Sequence, residues 1–181
     1  MIEQDMIRAA YKKIAEEEMF RWCFVVDPIR QNVFEKIAAE YIESMAGVSL
    51  FKKYGANDLF IVAGALKEKK ELKGMRPESK SIGFSWKYCR RDFYASHKYT
   101  DESGGAQDNQ YRDVQRFIED ANKIGGQDVF VAIVDGEYYS TWDSQSGMTR
   151  RKRLEQMANQ SNAFVKSIDE LEKFLSRFGE S

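Results

Sequence analysis

The stretch from Asp128 to Gly136, DVFVAIVDG, constrains the fold more than any other part of the chain. Val129 to Val134 follow one another without a polar residue, so an extended conformation turns apolar side chains to both faces. A strand of that kind needs cover on both sides. It predicts a central strand in a sheet with helices above and below it.

Segments able to provide that cover are present. Apolar residues at helical spacing predict a helix from Glu3 to about Phe20 and another from about Arg30 to Gly47, the latter with Val33, Phe34, Ile37, Ala38, Tyr41 and Ile42 on one face. A third is predicted from Tyr111 to Ile124, with Tyr111, Val114, Phe117, Ile118 and Ala121 on one face and Gly125-Gly126 as the stop. The last runs from about Ile168 to Phe178, with Ser167 or Asp169 available as its cap.

Further strands are expected at Leu59 to Leu66, Ser81 to Tyr88 and Asp92 to Thr100, the last two forming a hairpin about Arg90 and Arg91. The charged KEKKELKG after Leu66 is either a hairpin arm or a loop, DESGGAQDNQ is a polar turn, and the Asp135-Gly136 pair predicts a hairpin turn into a short strand, EYYSTW. The expected class is α/β (α+β), a mixed sheet flanked by helices. A length of 181 residues with 43% hydrophobic and 13% aromatic content suits one domain, spanning 1–181.

Charge and motifs narrow the function classes. Lys and Arg number 28 against 29 acids, so no global positive field points to nucleic acid. Basic residues do cluster locally, at Lys67, Lys69, Lys70 and Lys73, at Lys87, Arg90 and Arg91, and at Arg150, Arg151, Lys152 and Arg153, and phosphate contact needs only a basic face. Cys23 and Cys89 have no metal-ligand spacing, which fits a reducing cytoplasm. The acid-rich opening residues argue against a secretory signal, and no stretch reaches membrane-spanning length. Sequence grounds for a P-loop, a dinucleotide fold or an α/β-hydrolase elbow are missing. The one histidine, His97, sits mid-strand without a supporting motif and reads as a structural or substrate-contacting group.

Hydrolysis of a phosphodiester asks for a hard cation held by carboxylates and for a lysine that positions water or offsets developing charge. One set of that composition is Asp58 with Glu71-Leu72-Lys73, where strand alternation would point Glu71 and Lys73 to one face; the same run also reads as a solvated charged loop. Asp58 with Glu71-x-Lys73 resembles the signature of the PD-(D/E)XK nucleases, with Asn57 where the family often has proline. RQNVFEKIAAEYIE is similar to the family's first helix, which implies a further metal ligand at Glu35.

The stretch FYASHKYTDESGGAQDNQYRDVQRFIEDA leading into DVFVAIVDGEYY resembles the segment after the catalytic strand in type II restriction enzymes. In that second frame Lys98 is the motif lysine and KSIGFSW the strand of the partner aspartate, yet Ser96 stands where the motif glutamate belongs and Gly83 where an aspartate is natural. Ligands would then come from Glu35, Asp58 or Asp92, or activity has been lost. The first frame has complete chemistry and the second the better order of strand, helix and strand; the first is taken for catalysis.

The resemblance covers about 30–139 and implies a restriction-endonuclease-like core, a Mg²⁺-dependent site-specific endonuclease acting on double-stranded DNA, a homodimer and a companion DNA methyltransferase. Catalytic candidates are Asp58, Glu71, Lys73 and Lys98, and metal candidates Asp58, Glu71 and Glu35. For DNA contact the candidates are Lys87, Arg90, Arg91, His97, Gln107, Asn109 and Gln110, since amides pair with base edges and cations with phosphates. Capping by Asp108 or Asn109 is the plainer role for that turn. Trp86, Tyr88, Tyr94 and Tyr99 interleaved with Lys87, Arg90, Arg91 and Lys98 read either as a DNA-facing hairpin or as a half-buried sheet with snorkelling cations. The alternative function is a non-catalytic nucleic-acid-binding or regulatory domain on the same fold.

Overall fold

The computed structural model describes residues 28–55, 58–72, 82–101 and 105–179, with the side chains of 28–32 and 105–106 excepted. The helix expected at 3–20, Cys23, Asn57 and Lys73 lie outside the described residues. The chain order is α1 (Pro28–Ser44), β1 (Ser49–Lys53), β2 (Leu59–Val62), β3 (Ala65–Glu68), a 3-10 turn (Lys69–Glu71), β4 (Phe84–Tyr88), β5 (Arg91–Tyr99) and α2 (Gly105–Ala121). It continues through β6 (Val129–Asp135), a second 3-10 turn (Glu137–Ser140), β7 (Trp142–Asp143), β8 (Met148–Thr149), α3 (Arg150–Met157), β9 (Ala163–Lys166) and α4 (Leu171–Ser176).

The doubly apolar stretch lies where its composition requires. β6 is buried from Val129 to Val134 in a five-stranded sheet of order β1-β4-β5-β6-β9. β1, β4 and β5 pair antiparallel with one another, whereas β5, β6 and β9 are parallel, so the sheet is mixed.

Alternation along β6 sends its side chains into two cores. Val129, Val131 and Ile133 meet α1 and α4 through Ala38, Ile42, Leu171 and Phe174, together with Phe84, Trp86 and Phe93. Phe130, Ala132 and Val134 meet α2 through Val114, Phe117 and Ile118, α3 through Leu154, and β2 through Leu59 and Ile61. Each fully buried Val, Ile or Phe contributes about 1.5–3 kcal/mol, and β6 supplies these to both layers.

The structure corrects several expectations. Leu59 to Leu66 is not one strand: Ala63 and Gly64 both take positive φ, 52° and 74°, and turn the chain into a hairpin separate from the main sheet. KEKKELKG is a hairpin arm only to Glu68, after which Lys69–Glu71 closes a 3-10 turn. The β4–β5 turn is Cys89-Arg90, at φ 46° and 65°, and Arg91 already belongs to β5 opposite Tyr88. α2 begins at Gly105, so Gln107 to Gln110 are helical and not a polar turn.

EYYSTW is not a strand returning along β6. Gly136 at φ 101° and ψ 160° redirects the chain onto the end of β5, where Tyr138 N–H donates to the Thr100 carbonyl at 3.2 Å, and Tyr138 and Tyr139 become buried. Burying both rings outweighs the hairpin preference of the Asp-Gly pair. In α4 the cap position falls to Glu170, not to Ser167 or Asp169.

β1, α3 and β9 have no counterpart among the elements expected from the sequence. β1 is a mostly exposed edge strand whose register against β4 breaks at a bulge between Ser49 and Lys52, a device that blunts an open edge. In α3 the basic run hides a short helix that Leu154 anchors, with the Thr149 hydroxyl accepting from Lys152 N–H at its start.

The buried tyrosines give a pH prediction. Burial, with Asp128 and Asp92 adding to it, pushes the Tyr94 hydroxyl up to about 12. Burial and then the bond to Asp108 hold Tyr138 at about 12, and burial raises Tyr139 as well. Unfolded tyrosine ionises near 10. The folded state therefore keeps protons that the unfolded chain releases, and the stability these groups contribute is intact below pH 10 and lost as pH climbs toward 12. Thermal unfolding between pH 8 and pH 11.5 is expected to show Tm falling steeply above pH 10; a flat profile would contradict the burial of these hydroxyls.

Candidate functional site

Polar side chains from both halves of the sequence collect where β5 and β6 end and β4 begins. The register Phe84↔Ala95 places Gly83, just before β4, beside the stretch of β5 that holds Ser96 and Lys98, and Gly83 N–H donates to the Ala95 carbonyl at 2.8 Å. Lys98 is half-buried opposite Val134, and Ser96 is buried.

α1 crosses this end. The Phe34 ring stacks on Tyr99 at 3.8 Å with only 4° between the planes. A Cβ at position 83 would stand 3.3 Å from Glu35 Oε1. Lys53, at the end of β1, has its Nζ 3.9 Å from Glu35 Oε2. The structure thus brings Glu35, Gly83, Ser96 and Lys98 to one end of the sheet.

The first turn of α2 lies along the same end. Thr100 Oγ1 donates to Gln110 Oε1 at 2.9 Å, and Asp108 accepts from the Tyr138 hydroxyl, so Asp108 serves as a tie between α2 and the 3-10 turn and not as a cap. Gln107 is half-exposed and Asn109 exposed. The Arg150 guanidinium lies 4.4 Å over the Tyr138 ring and donates to Thr141 Oγ1 and to the Trp142 carbonyl. The Trp142 side chain stands out from the β7–β8 hairpin, with the residue 66% exposed.

The combination of Tyr138, Trp142 and Arg150 was not legible in the sequence. Treating EYYSTW as a regular strand hid the switch from two buried tyrosines to one exposed tryptophan.

Other candidates fall elsewhere. His97 is not a DNA contact: its side chain is 2% exposed, and its Nε2 lies 3.2 Å from Asp135 Oδ2. Asp135 Oδ1 accepts from Ile168 N–H at 3.1 Å, so this pair fastens β5 and β6 to the turn ahead of α4. Lys87, Arg90 and Arg91 occupy the far end of the sheet. Arg91 and Lys98 are separated along β5 by roughly 23 Å, at ~3.3 Å per residue.

At that far end Lys87 pairs with Asp92 at 3.4 Å and Arg91 covers the Phe178 ring at 5.3 Å. Trp86 is 1% exposed, so the aromatic-basic hairpin is largely a core layer with cations at its margin.

Asp58 and Glu71 are exposed at the open end of the β2–β3 hairpin, each holding a local turn. Asp58 Oδ2 accepts from Gly55 N–H and Glu71 Oε2 from Glu68 N–H, both at 2.7 Å. Glu71 sits in a 3-10 turn, so the strand alternation expected to align it with Lys73 is not formed at that residue. Among the described residues no three His, Cys, Asp or Glu side chains converge as a metal site, and Asp58, Glu71 and Glu35 are on separate elements. No helix among the described residues is long and apolar enough to cross a membrane. Comparison with protein-family models and with curated protein sequences found no match for this chain.

Proposed function

We propose that the chain is a DNA-directed, site-specific endonuclease of the restriction type, acting in the cytoplasm, with its working site around Lys98 and Glu35. The observation carrying this reading is the path of the chain. A helix, an edge strand, a separate small hairpin, an antiparallel pair, a crossover helix and a parallel strand succeed one another, with Lys98 near the end of the strand before the crossover and Glu35 beside Gly83 at the same end of the sheet. That favours the Ser96-x-Lys98 frame over Asp58 with Glu71-x-Lys73.

Magnesium needs several oxygen donors. Beside Gly83 and on the adjoining stretch of β5 the described residues offer the Glu35 carboxylate and the Ser96 hydroxyl, Gly83 offers no side chain, Asp108 and Asp135 at the same end are engaged by Tyr138 and by His97 and Ile168, and the carboxylates of Asp58 and Glu71 are held by backbone amides of their own hairpin. The donor set for the ion is incomplete among the described residues, so no step is assigned to it. The roles left to the chain itself are electrostatic. Lys98 would hold a phosphate of the substrate, while Gln107, Asn109 and Gln110 at the start of α2 would reach base edges or phosphates. Cutting both strands of a palindromic site would call for a homodimer, and a companion methyltransferase would protect the host's own sites.

A second reading, a non-catalytic nucleic-acid-binding domain, is favoured by Gly83 and Ser96, which supply no carboxylate where the cleaving frame wants two.

Cleavage decides between them. The purified full chain and Glu35→Gln are incubated with unmethylated phage DNA, each with Mg²⁺ and with EDTA. Discrete bands from the wild type with Mg²⁺ alone, and slower cutting by Glu35→Gln with DNA binding retained, are the expected results. DNA bound but left intact with Mg²⁺ and with Mn²⁺ would establish the binding domain instead.

A further inference from the structure

We infer that Trp142 and Arg150 form a subsite for an unpaired nucleotide, the indole stacking on the base and the guanidinium taking the adjoining phosphate. This rests on the DNA-directed reading and deepens it by naming the part of the substrate recognised beyond the ends of β5 and β6.

The basic run at the start of α3 divides into two kinds of side chain. Arg151 bonds Glu155 and Glu170, and Arg153 bonds Asp143, so both are committed to carboxylates. Arg150 makes no ion pair among the described residues: its bonds go to a neutral hydroxyl and a carbonyl, and its plane lies on Tyr138. The exposed Lys152 likewise shows no carboxylate within ion-pair distance among the described residues. The Arg150 guanidinium is therefore open to meet an anion.

Beside Arg150, Trp142 presents the largest exposed aromatic surface of the described residues. Its position is built and not left to chance. Arg150 holds the Trp142 carbonyl at 3.3 Å, the Arg150 amide donates to the Thr141 carbonyl at 3.0 Å, and the next residue, Asp143, is gripped by Arg153 and by the Ser146 hydroxyl at 2.9 Å. An exposed aromatic ring on a held backbone, next to a guanidinium without an ion pair among the described residues, is the arrangement that recognises a base together with its phosphate. A base inside a duplex has its faces covered, so the ligand is a single-stranded segment or an extruded nucleotide.

The test measures binding of a fluorescently labelled oligothymidylate to the full-length wild type, Trp142→Ala, Trp142→Phe and Arg150→Ala, by anisotropy over a range of salt. Expected is a Kd weakened roughly tenfold or more by Trp142→Ala, a few-fold at most by Trp142→Phe, and a salt slope reduced by about 0.7 in Arg150→Ala. Oligothymidylate should also quench tryptophan emission in the wild type, and quench it less in Trp142→Phe. Trp142→Ala binding within twofold of wild type overturns the subsite, as does a wild type that binds no oligothymidylate, which would leave Trp142 to a protein partner.

Duplex cleavage assayed alongside keeps the two claims apart. Cutting with Trp142-independent oligonucleotide binding sinks only the subsite, whereas duplex DNA neither bound nor cut sinks the endonuclease reading.

Discussion

Gly136→Ala is expected to lower the stability of the protein by about 3–5 kcal/mol, the sum of a backbone conformation closed to alanine and the hydrogen bonds lost with it. At φ 101° and ψ 160° the residue occupies a region that side-chain-bearing residues rarely enter. A Cβ there would overlap the Thr100 carbonyl oxygen and come 2.6 Å from its carbon and 3.0 Å from its nitrogen. These are backbone atoms of the strand end, so no side-chain rotation relieves the clash. The shift needed would strain the Thr100 N–H bond to the Asp135 carbonyl, at 2.8 Å, and the Tyr138 N–H bond to Thr100.

At about 2–4 °C per kcal/mol for a chain of this size, Tm should fall by roughly 10 °C. Gly125→Ala is the control: its Cβ meets nothing within 4 Å, and its change is expected to stay within about 0.5 kcal/mol. Equal, small effects of the two substitutions in urea or thermal unfolding would mean that the turn after β6 is not built as described.

Lys98→Ala is expected to reduce cleavage by about 10²–10³-fold, the usual cost of removing one group that offsets charge in a transition state. Lys73→Ala should stay within a few-fold of wild type. Lys98 is half-buried near the end of β5, so thermal unfolding of the variant must be measured in parallel to separate loss of chemistry from loss of fold. The reverse outcome, a silent Lys73→Ala and an active Lys98→Ala, would return the working site to Asp58 and Glu71. Both variants cutting normally would remove lysine chemistry from the account.

The helices and strands that bury a regular face were legible because burial repeats in the residues themselves. Val33, Phe34, Ile37, Ala38 and Ile42 along α1, Val114, Phe117 and Ile118 along α2, and the run along β6 carry their own period. Elements without such a period escaped. β1 is exposed along most of its length, and α3 has one fully buried residue, Leu154. The hairpin at Ala63-Gly64 and the Cys89-Arg90 turn were misread for a different reason. Positive φ at Ala63, Cys89 and Arg90 is imposed by strand pairing on residues that do not advertise a turn, and the single Gly64 stands inside an otherwise strand-like apolar run.

The candidate site divides along the same line. The residue types for phosphate chemistry and the two possible lysine frames were readable as local patterns. Which frame has company was not, because the groups gathered at the Lys98 end of the sheet come from distant parts of the chain: Glu35 reaches Gly83 from α1, and Gly83 meets β5 only through the β4 register. The removal of His97 from the surface depends on Asp135 and on the loop before α4, and the gathering of Tyr138, Arg150 and Trp142 on a glycine that turns the chain away from its expected strand.

By itself the sequence determined a sheet with an interior strand covered on both faces, since twofold burial is written into consecutive apolar residues. The tertiary structure alone decided which polar groups share an end of that sheet. Strand order and register are non-local, and they are set by how whole faces pack and not by any one stretch of residues.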